Sequence, residues 1–125
     1  MPETIQHGQI CWSEVYSPNA EAARHFYAAL FGWQADQVDF GGTPYTTLSQ
    51  GGKMFGGIMP MVGPQWQGVP PHWMTYFAVD DVDAAAAKVT QLGGKICVPP
   101  TDIPVGRFAI VSDPTGATFS LFKGK

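Results

Sequence analysis

Charge is scarce in this chain. Only 14% of its 125 residues are Asp, Glu, Lys or Arg, and ten acidic against seven basic side chains leave a net charge of −3. No basic cluster occurs, which argues against nucleic-acid partners and against binding to an anionic membrane surface. Histidine is limited to His7, His25 and His72, and arginine to Arg24 and Arg107. The two cysteines, Cys11 and Cys97, lie far apart. That excludes metal knuckles and Cys-x-x-Cys redox pairs, and leaves a single disulfide open. No apolar run approaches the roughly 18 residues of a membrane-spanning helix. The opening Met1-Pro2-Glu3-Thr4 is polar and has no apolar signal segment. The expectation is a cytoplasmic protein with reduced thiols.

What the chain has instead is apolar and aromatic. Hydrophobic residues make up 45%, and Phe, Tyr and Trp together 13%. A chain of this length forms one domain with a real core, so the aromatics line either that core or a pocket.

Residues 9–17 are rich in β-branched and aromatic types and predict a strand. Pro18 breaks it and Asn19 is a good N-cap. A helix follows over 20–31, with Ala22, Ala23, Phe26, Tyr27 and Leu30 on the expected buried face and Gly32 ending it. Short strands are predicted over 34–40, 43–49 and 53–61, separated by Gly41-Gly42 and Gly51-Gly52. Residues 62–71 hold three prolines and two glycines and read as a linker. The pattern then restarts. A strand covers 72–79, and Asp81 caps a helix over 82–92 with Val82, Ala85, Val89 and Leu92 on one face. Gly93-Gly94 close it. Strands follow near 95–98, 106–112 and 117–123, the last two joined by a turn at Asp113-Pro-Thr-Gly116.

A shift of 62 residues superimposes the halves. Asn19 falls on Asp81, Ala23 on Ala85, Leu30 on Leu92 and Gly32 on Gly94. Two copies at this spacing make a duplicated β-α-β-β-β unit rather than a solenoid.

Three stretches carry a resemblance: Trp12-Ser-Glu-Val with Phe26-Tyr-Ala-Ala-Leu-Phe-Gly-Trp33; Tyr76-Phe-Ala-Val-Asp-Asp81 with Leu92-Gly-Gly94; and Pro104-Val-Gly-Arg107 with Asp113-Pro-Thr-Gly-Ala117. In order and spacing the chain resembles the glyoxalase/bleomycin resistance protein/dioxygenase (vicinal oxygen chelate) superfamily, in its glyoxalase-like branch. The resemblance implies an α+β fold of two tandem βαβββ modules. These would form a curved mixed sheet around a shared cavity, with the helices outside. Residues 1–125 would be a single domain: module one about 8–61, linker 62–71, module two about 72–123. It further implies relatives that are lyases, dioxygenases or drug-binding proteins, and a homodimer.

Metal-dependent members of that superfamily hold a divalent ion on His, Gln or Glu. By the resemblance the matching positions are Trp12, Met74 and Ser120, with Gly57, Ile58 or Met59 on the fourth strand. None is a usual hard-metal ligand. The expectation is therefore no metal and no other cofactor, a divalent ion being the alternative. His72 shares the face of Met74 and is either a rim histidine or a misplaced ligand.

Alternation places Trp12, Glu14 and Tyr16 on one face of the first strand and Met74 and Tyr76 on one face of the fifth. Ser120 and Phe122 join them. These seven are the candidate ligand-binding set for a small, largely apolar or aromatic molecule. Glu14 is the candidate catalytic residue, either a general base or a member of a structural network with Arg107 or a tyrosine hydroxyl. Arg107 would clamp an acidic ligand or pair with Asp102 or Asp113. Trp66 and Trp73 flank the linker as a gate or a dimer contact. Gly56-Gly57 would admit a ligand or a neighbouring strand. A metal-dependent or metal-free lyase or dioxygenase is the competing functional reading.

Overall fold

The computed structural model describes residues 5–40 and 42–125. The expected Gly41-Gly42 turn falls partly outside the described residues. In chain order the elements are β1 (Ile10–Ser17), α1 (Ala20–Phe31), β2 (Gln34–Phe40), β3 (Thr43–Gln50), β4 (Lys53–Pro60), β5 (His72–Ala78), α2 (Val82–Gln91), β6 (Lys95–Ile103), β7 (Gly106–Ser112) and β8 (Thr118–Gly124). This is β-α-β-β-β twice, an α+β fold, with a short 3-10 helix at Pro64–Trp66 in the linker. The two helices begin at Ala20 and Val82, the expected offset of 62. Among the described residues no helix is long and apolar enough to cross a membrane.

By its contacts the chain divides into two compact units, Ser13–Met74 and a second formed by the chain up to Trp12 with Thr75–Lys125. In the first, β4 runs parallel to β1 and antiparallel to β3, which pairs antiparallel with β2. In the second, β8 runs parallel to β5 and antiparallel to β7, which pairs antiparallel with β6. The wiring of the two halves is the same, as a duplicated unit requires.

Both helices start as the caps dictate. The Asn19 side chain accepts the Ala22 N–H at 3.0 Å, and the Asp81 carboxylate accepts the Ala84 N–H at 3.0 Å. Gly32 ends α1 at φ 75°, a left-handed conformation that costs glycine little. Gly94 is required for space instead, because a Cβ there would lie 2.5 Å from the Ser112 carbonyl oxygen.

Helix α1 covers a core of Val15, Leu48 and Ile58, to which Ala20, Ala23, Tyr27, Trp33, Ala35 and Phe55 are added. The expected buried face is thus rotated. Ala22, Phe26 and Leu30 are exposed, and the sheet is met by the small side chains Ala20 and Ala23 together with Tyr27. Helix α2 covers Val79, Ala109, Val111 and Leu121 with Val82, Ala85, Ala86 and Val89. Leu92 caps that helix and stays exposed rather than joining its buried face. Each fully buried aliphatic side chain contributes about 1.5–3 kcal/mol.

Two strands depart from expectation. β6 continues past residue 98 through Pro99 and Pro100 to Ile103. It pairs only with β7, and its register shifts between Ile96 and Val98 and between Val98 and Thr101. An edge strand with bulges has places for residues that lack an N–H. In β4, Leu48 faces Gly56 while Ser49 faces Met54, so Phe55 is the extra residue of a bulge. That turns its ring towards the α1 side, where it meets Trp33 at 4.6 Å.

Arg107 resolves as a structural residue. It donates to both Asp83 oxygens and to Asp102 at 2.9 Å each, tying α2 to β6 and β7. Asp113, the other partner considered, closes its own turn. Its carboxylate accepts from the Thr115 N–H (2.8 Å), the Thr115 hydroxyl (2.7 Å) and the Ala117 N–H (3.1 Å). These bonds, the Thr115 hydroxyl foremost, hold the Asp113 carboxyl below the ordinary aspartate value. A depressed carboxyl contributes stability above its unfolded value, near pH 4, which is lost as pH falls through the folded one. Asp113→Asn is therefore expected to melt below the parent at neutral pH. The gap should close in acid, measured as melting temperature against pH.

Candidate functional site

The core contacts fix which face each strand presents. Val15 and Ile58 pair in register and pack under α1, so Glu14, Tyr16, Gly57 and Met59 look the other way. Ile58, one of three residues considered for the fourth-strand position, is thereby placed in the core. On β3, Thr46 is opposite Ile58, and Tyr45 and Thr47 share the face of Glu14.

Glu14 is 5% exposed. A carboxylate so buried needs donors, because desolvation disfavours its charge. The Tyr45 hydroxyl donates to Glu14 Oε1 at 2.5 Å, within a charge-assisted range. Gly57 makes this possible. It stands opposite Glu14 in the register, and a Cβ on it would lie 1.9 Å from the Tyr45 hydroxyl oxygen. The phenol therefore lies across the missing side chain. Gly56 does the other thing expected of the pair: a Cβ there would lie 2.0 Å from the Ser13 carbonyl oxygen, so it admits the neighbouring strand. Tyr45 escaped the sequence reading. Its only signal is a tyrosine on the strand next to a glycine pair.

Tyr16, two residues on, is 5% exposed and stacks on His72 with ring centroids 4.9 Å apart and planes 19° apart. Trp66 meets it edge-on at 5.2 Å. The His72 Nδ1 lies 2.8 Å from the Pro70 carbonyl oxygen, so Nδ1 carries the proton and donates. Met74, 4% exposed, follows His72 on the same strand face. The two linker tryptophans separate. Trp66 joins Tyr16, whereas Trp73 points to the helix layer and donates its indole N–H to the Tyr27 hydroxyl at 3.0 Å.

In the second unit Tyr76 pairs with Ser120, and Ala78 with Phe122. Leu121, between them, belongs to the core under α2, so Tyr76, Ser120 and Phe122 share the opposite face. The Tyr76 and Phe122 rings are 6.4 Å apart. Ser120 is fully buried and its hydroxyl has no hydrogen-bond partner among the described residues. Trp12 is half-buried on β1. The remaining histidines lie elsewhere: His7 accepts the Asp80 N–H at 3.1 Å, and His25 is exposed on α1 near Glu21.

The model of the Glyoxalase/Bleomycin resistance protein/Dioxygenase superfamily matches residues 7–121. The chain belongs to that superfamily. “Putative glyoxylase CFP32” of Mycobacterium tuberculosis is 43% identical over 118 residues, covering 93% of this chain and 44% of that protein. “Anthracycline biosynthesis protein DnrV” of Streptomyces peucetius is 35% identical over 129 residues, 93% of this chain and 47% of its own. The chain thus spans about half the length of the curated relatives it matches. Among solved structures, a hypothetical protein from Bacillus halodurans has a TM-score of 0.73 at 12% identity, over 96% of both chains. A Streptomyces coelicolor methylmalonyl-CoA epimerase bound to 2-nitronate-propionyl-CoA has 0.66 at 18%, over 95% and 99%. At such identities these structures bear on the fold alone.

A metal is a familiar feature of the superfamily, and the residues that the resemblance matches to its ligand positions do not fit one. The indole of Trp12 has no lone pair to give, and the thioether of Met74 is a soft ligand. The Ser120 hydroxyl would be a single weak donor. Among the described residues no three His, Cys, Asp or Glu side chains gather as a metal site would need.

The Gly57 notch gives a direct test. Gly57→Ala forces the Tyr45 phenol off Glu14 and takes a donor from a buried carboxylate, a loss of about 1–3 kcal/mol. The melting temperature is expected to fall by several degrees. Adding Tyr45→Phe to Gly57→Ala should cost little more, because the bond is already broken.

Proposed function

We propose that this protein binds a small, largely apolar or aromatic molecule on the face of β1, β3 and β4, without a catalytic metal. The observation that carries the reading is the buried Glu14–Tyr45 hydrogen bond beside the Tyr16, Trp66 and His72 rings. One fixed polar point against an aromatic wall is how a pocket orients a planar ligand while most of the affinity comes from apolar contact. Glu14 accepts a ligand hydroxyl or N–H, Tyr16 and Trp66 stack on its rings, and Met74 packs against it. The named role of the Streptomyces relative in anthracycline biosynthesis favours a fused-ring aromatic within this class.

The same hydrogen bond supports a second reading, a metal-free acid–base enzyme. Glu14 would take a proton from the ligand, and Tyr45 would hold the carboxylate in line.

The test is tryptophan fluorescence on titration with a dihydroxyanthraquinone. Saturable quenching is expected, largely lost in Trp66→Phe. Glu14→Gln keeps the shape and should weaken binding by about tenfold or more, the scale of one charge-assisted hydrogen bond. A parent that shows no saturable quenching sinks the proposal. Unchanged affinity in Glu14→Gln, with loss of a solvent-deuterium exchange that the parent catalyses in the ligand, would favour the enzyme.

EDTA should leave the melting temperature of the purified protein unchanged, and excess Zn, Ni, Fe or Mn should not raise it. A metal bound only by the folded chain would shift it by mass action.

A further inference from the structure

Residues 62–71, between β4 and β5, form a strap with both ends rooted at the end of β1. At one root the Met61 N–H donates to the Ser17 carbonyl oxygen at 2.8 Å. At the other, His72 stacks on Tyr16 and its Nδ1–H holds the Pro70 carbonyl oxygen. Pro70 and Pro71 stiffen this second root. Between the roots, among the described residues, the strap bonds only to itself. The Trp66 N–H donates to the Gly63 carbonyl, the Gln67 N–H to Pro64, the Val69 N–H to Trp66, and the Gln65 side chain to Val62. Trp66 is half-buried, and every other residue of 62–71 is exposed. One indole, edge-on to Tyr16 at 5.2 Å, therefore holds the strap down. A loop with close ends and its own hydrogen bonds can lift without breaking any bond to the sheet.

We infer that this strap is a lid latched by Trp66, which opens to admit the ligand and closes on it. The inference rests on the binding face proposed above. Glu14 and Tyr16 are each 5% exposed, so a ligand meets them only after part of the protein moves. The strap is the part with least to lose. Trp66 lifts off Tyr16, a flat ring of the ligand takes its place, and the indole then closes against that ring. Two glycines flank Trp66 where the swing must be absorbed. Gly63 has φ 110° and ψ 164°, and Gly68 has φ 82°. Residues with a side chain rarely adopt such angles. A Cβ on Gly63 would lie 2.5 Å from the Gln65 Oε1, but one on Gly68 meets nothing within 4 Å. Gly68→Ala therefore burdens the closed backbone without a clash, and so favours the open lid.

Chymotrypsin tests the lid without any ligand. To cut after Trp66 it must take the indole into its own hydrophobic slot, so the ring must first leave Tyr16. The folded parent is expected to be cut first between Trp66 and Gln67, with the fragments identified by mass. Low urea should leave that rate unchanged, because a local opening exposes little surface. Gly68→Ala should be cut about fivefold faster or more, the scale of a left-handed alanine. In stopped-flow fluorescence with the dihydroxyanthraquinone, the parent's rate should level off at high ligand, and Gly68→Ala should raise that plateau. Cleavage after Trp66 that rises with urea together with every other site overturns the lid, whether or not the ligand binds. So does a cleavage rate that Gly68→Ala leaves unchanged, or a binding rate that climbs without limit and equally in both proteins. No saturable quenching, by contrast, overturns the binding face on which the lid rests.

Discussion

The close approach of β4 to its neighbours is the constraint on which the candidate site depends. Gly56 lets the Ser13 carbonyl come where a side chain would stand, and Gly57 lets the Tyr45 phenol do the same on the opposite face. One dipeptide therefore sets both the strand packing and the hydrogen bond to Glu14. The two effects need each other. Without the parallel β1–β4 register that puts Glu14 opposite Gly57, the phenol would cross that position without reaching Glu14.

Much of this was legible because strands alternate and helices announce their ends. Glu14 and Tyr16 were assigned to the face away from the helix from parity alone, and Val15 beneath α1 fixes the same parity. Asn19 and Asp81 mark helix starts through chemistry that acts over three residues. What was not legible is non-local. Tyr45 is 31 residues from Glu14, and nothing in its own neighbourhood says which strand lies beside it. The Phe55 bulge reverses one side chain through a pairing fault that no pattern within β4 reveals. The two prolines of β6 argue against a strand until its place beside β7 alone is known.

The two helices show how far a repeat constrains packing. Both start from an Asn or Asp cap at the same offset, yet α2 buries Val82 and Ala86 while α1 buries no residue fully. The difference lies in composition. α2 is built of alanine with few large apolar groups, and its narrow apolar arc fits under the sheet. α1 adds Phe26, Leu30 and Phe31, which widens the arc beyond what its strands can cover. Periodicity identifies an apolar face and its direction, but the number of neighbours available to cover it is a tertiary quantity. That is why the expected buried face of α1 appeared rotated, with its largest members outside.

The resemblance matches the family's metal-ligand positions to an indole, a thioether and a lone hydroxyl, none of them a hard donor. Within its own unit the buried Glu14 carboxylate persists because the protein supplies donors, and the Tyr45 phenol is one. On the proposed reading, recognition would rest on this one carboxyl group and the rings beside it. A ligand would then be distinguished by the position of one donor on an otherwise apolar frame, and one that covered Glu14 with carbon would be penalised, since it would desolvate the carboxyl without replacing its hydrogen bonds.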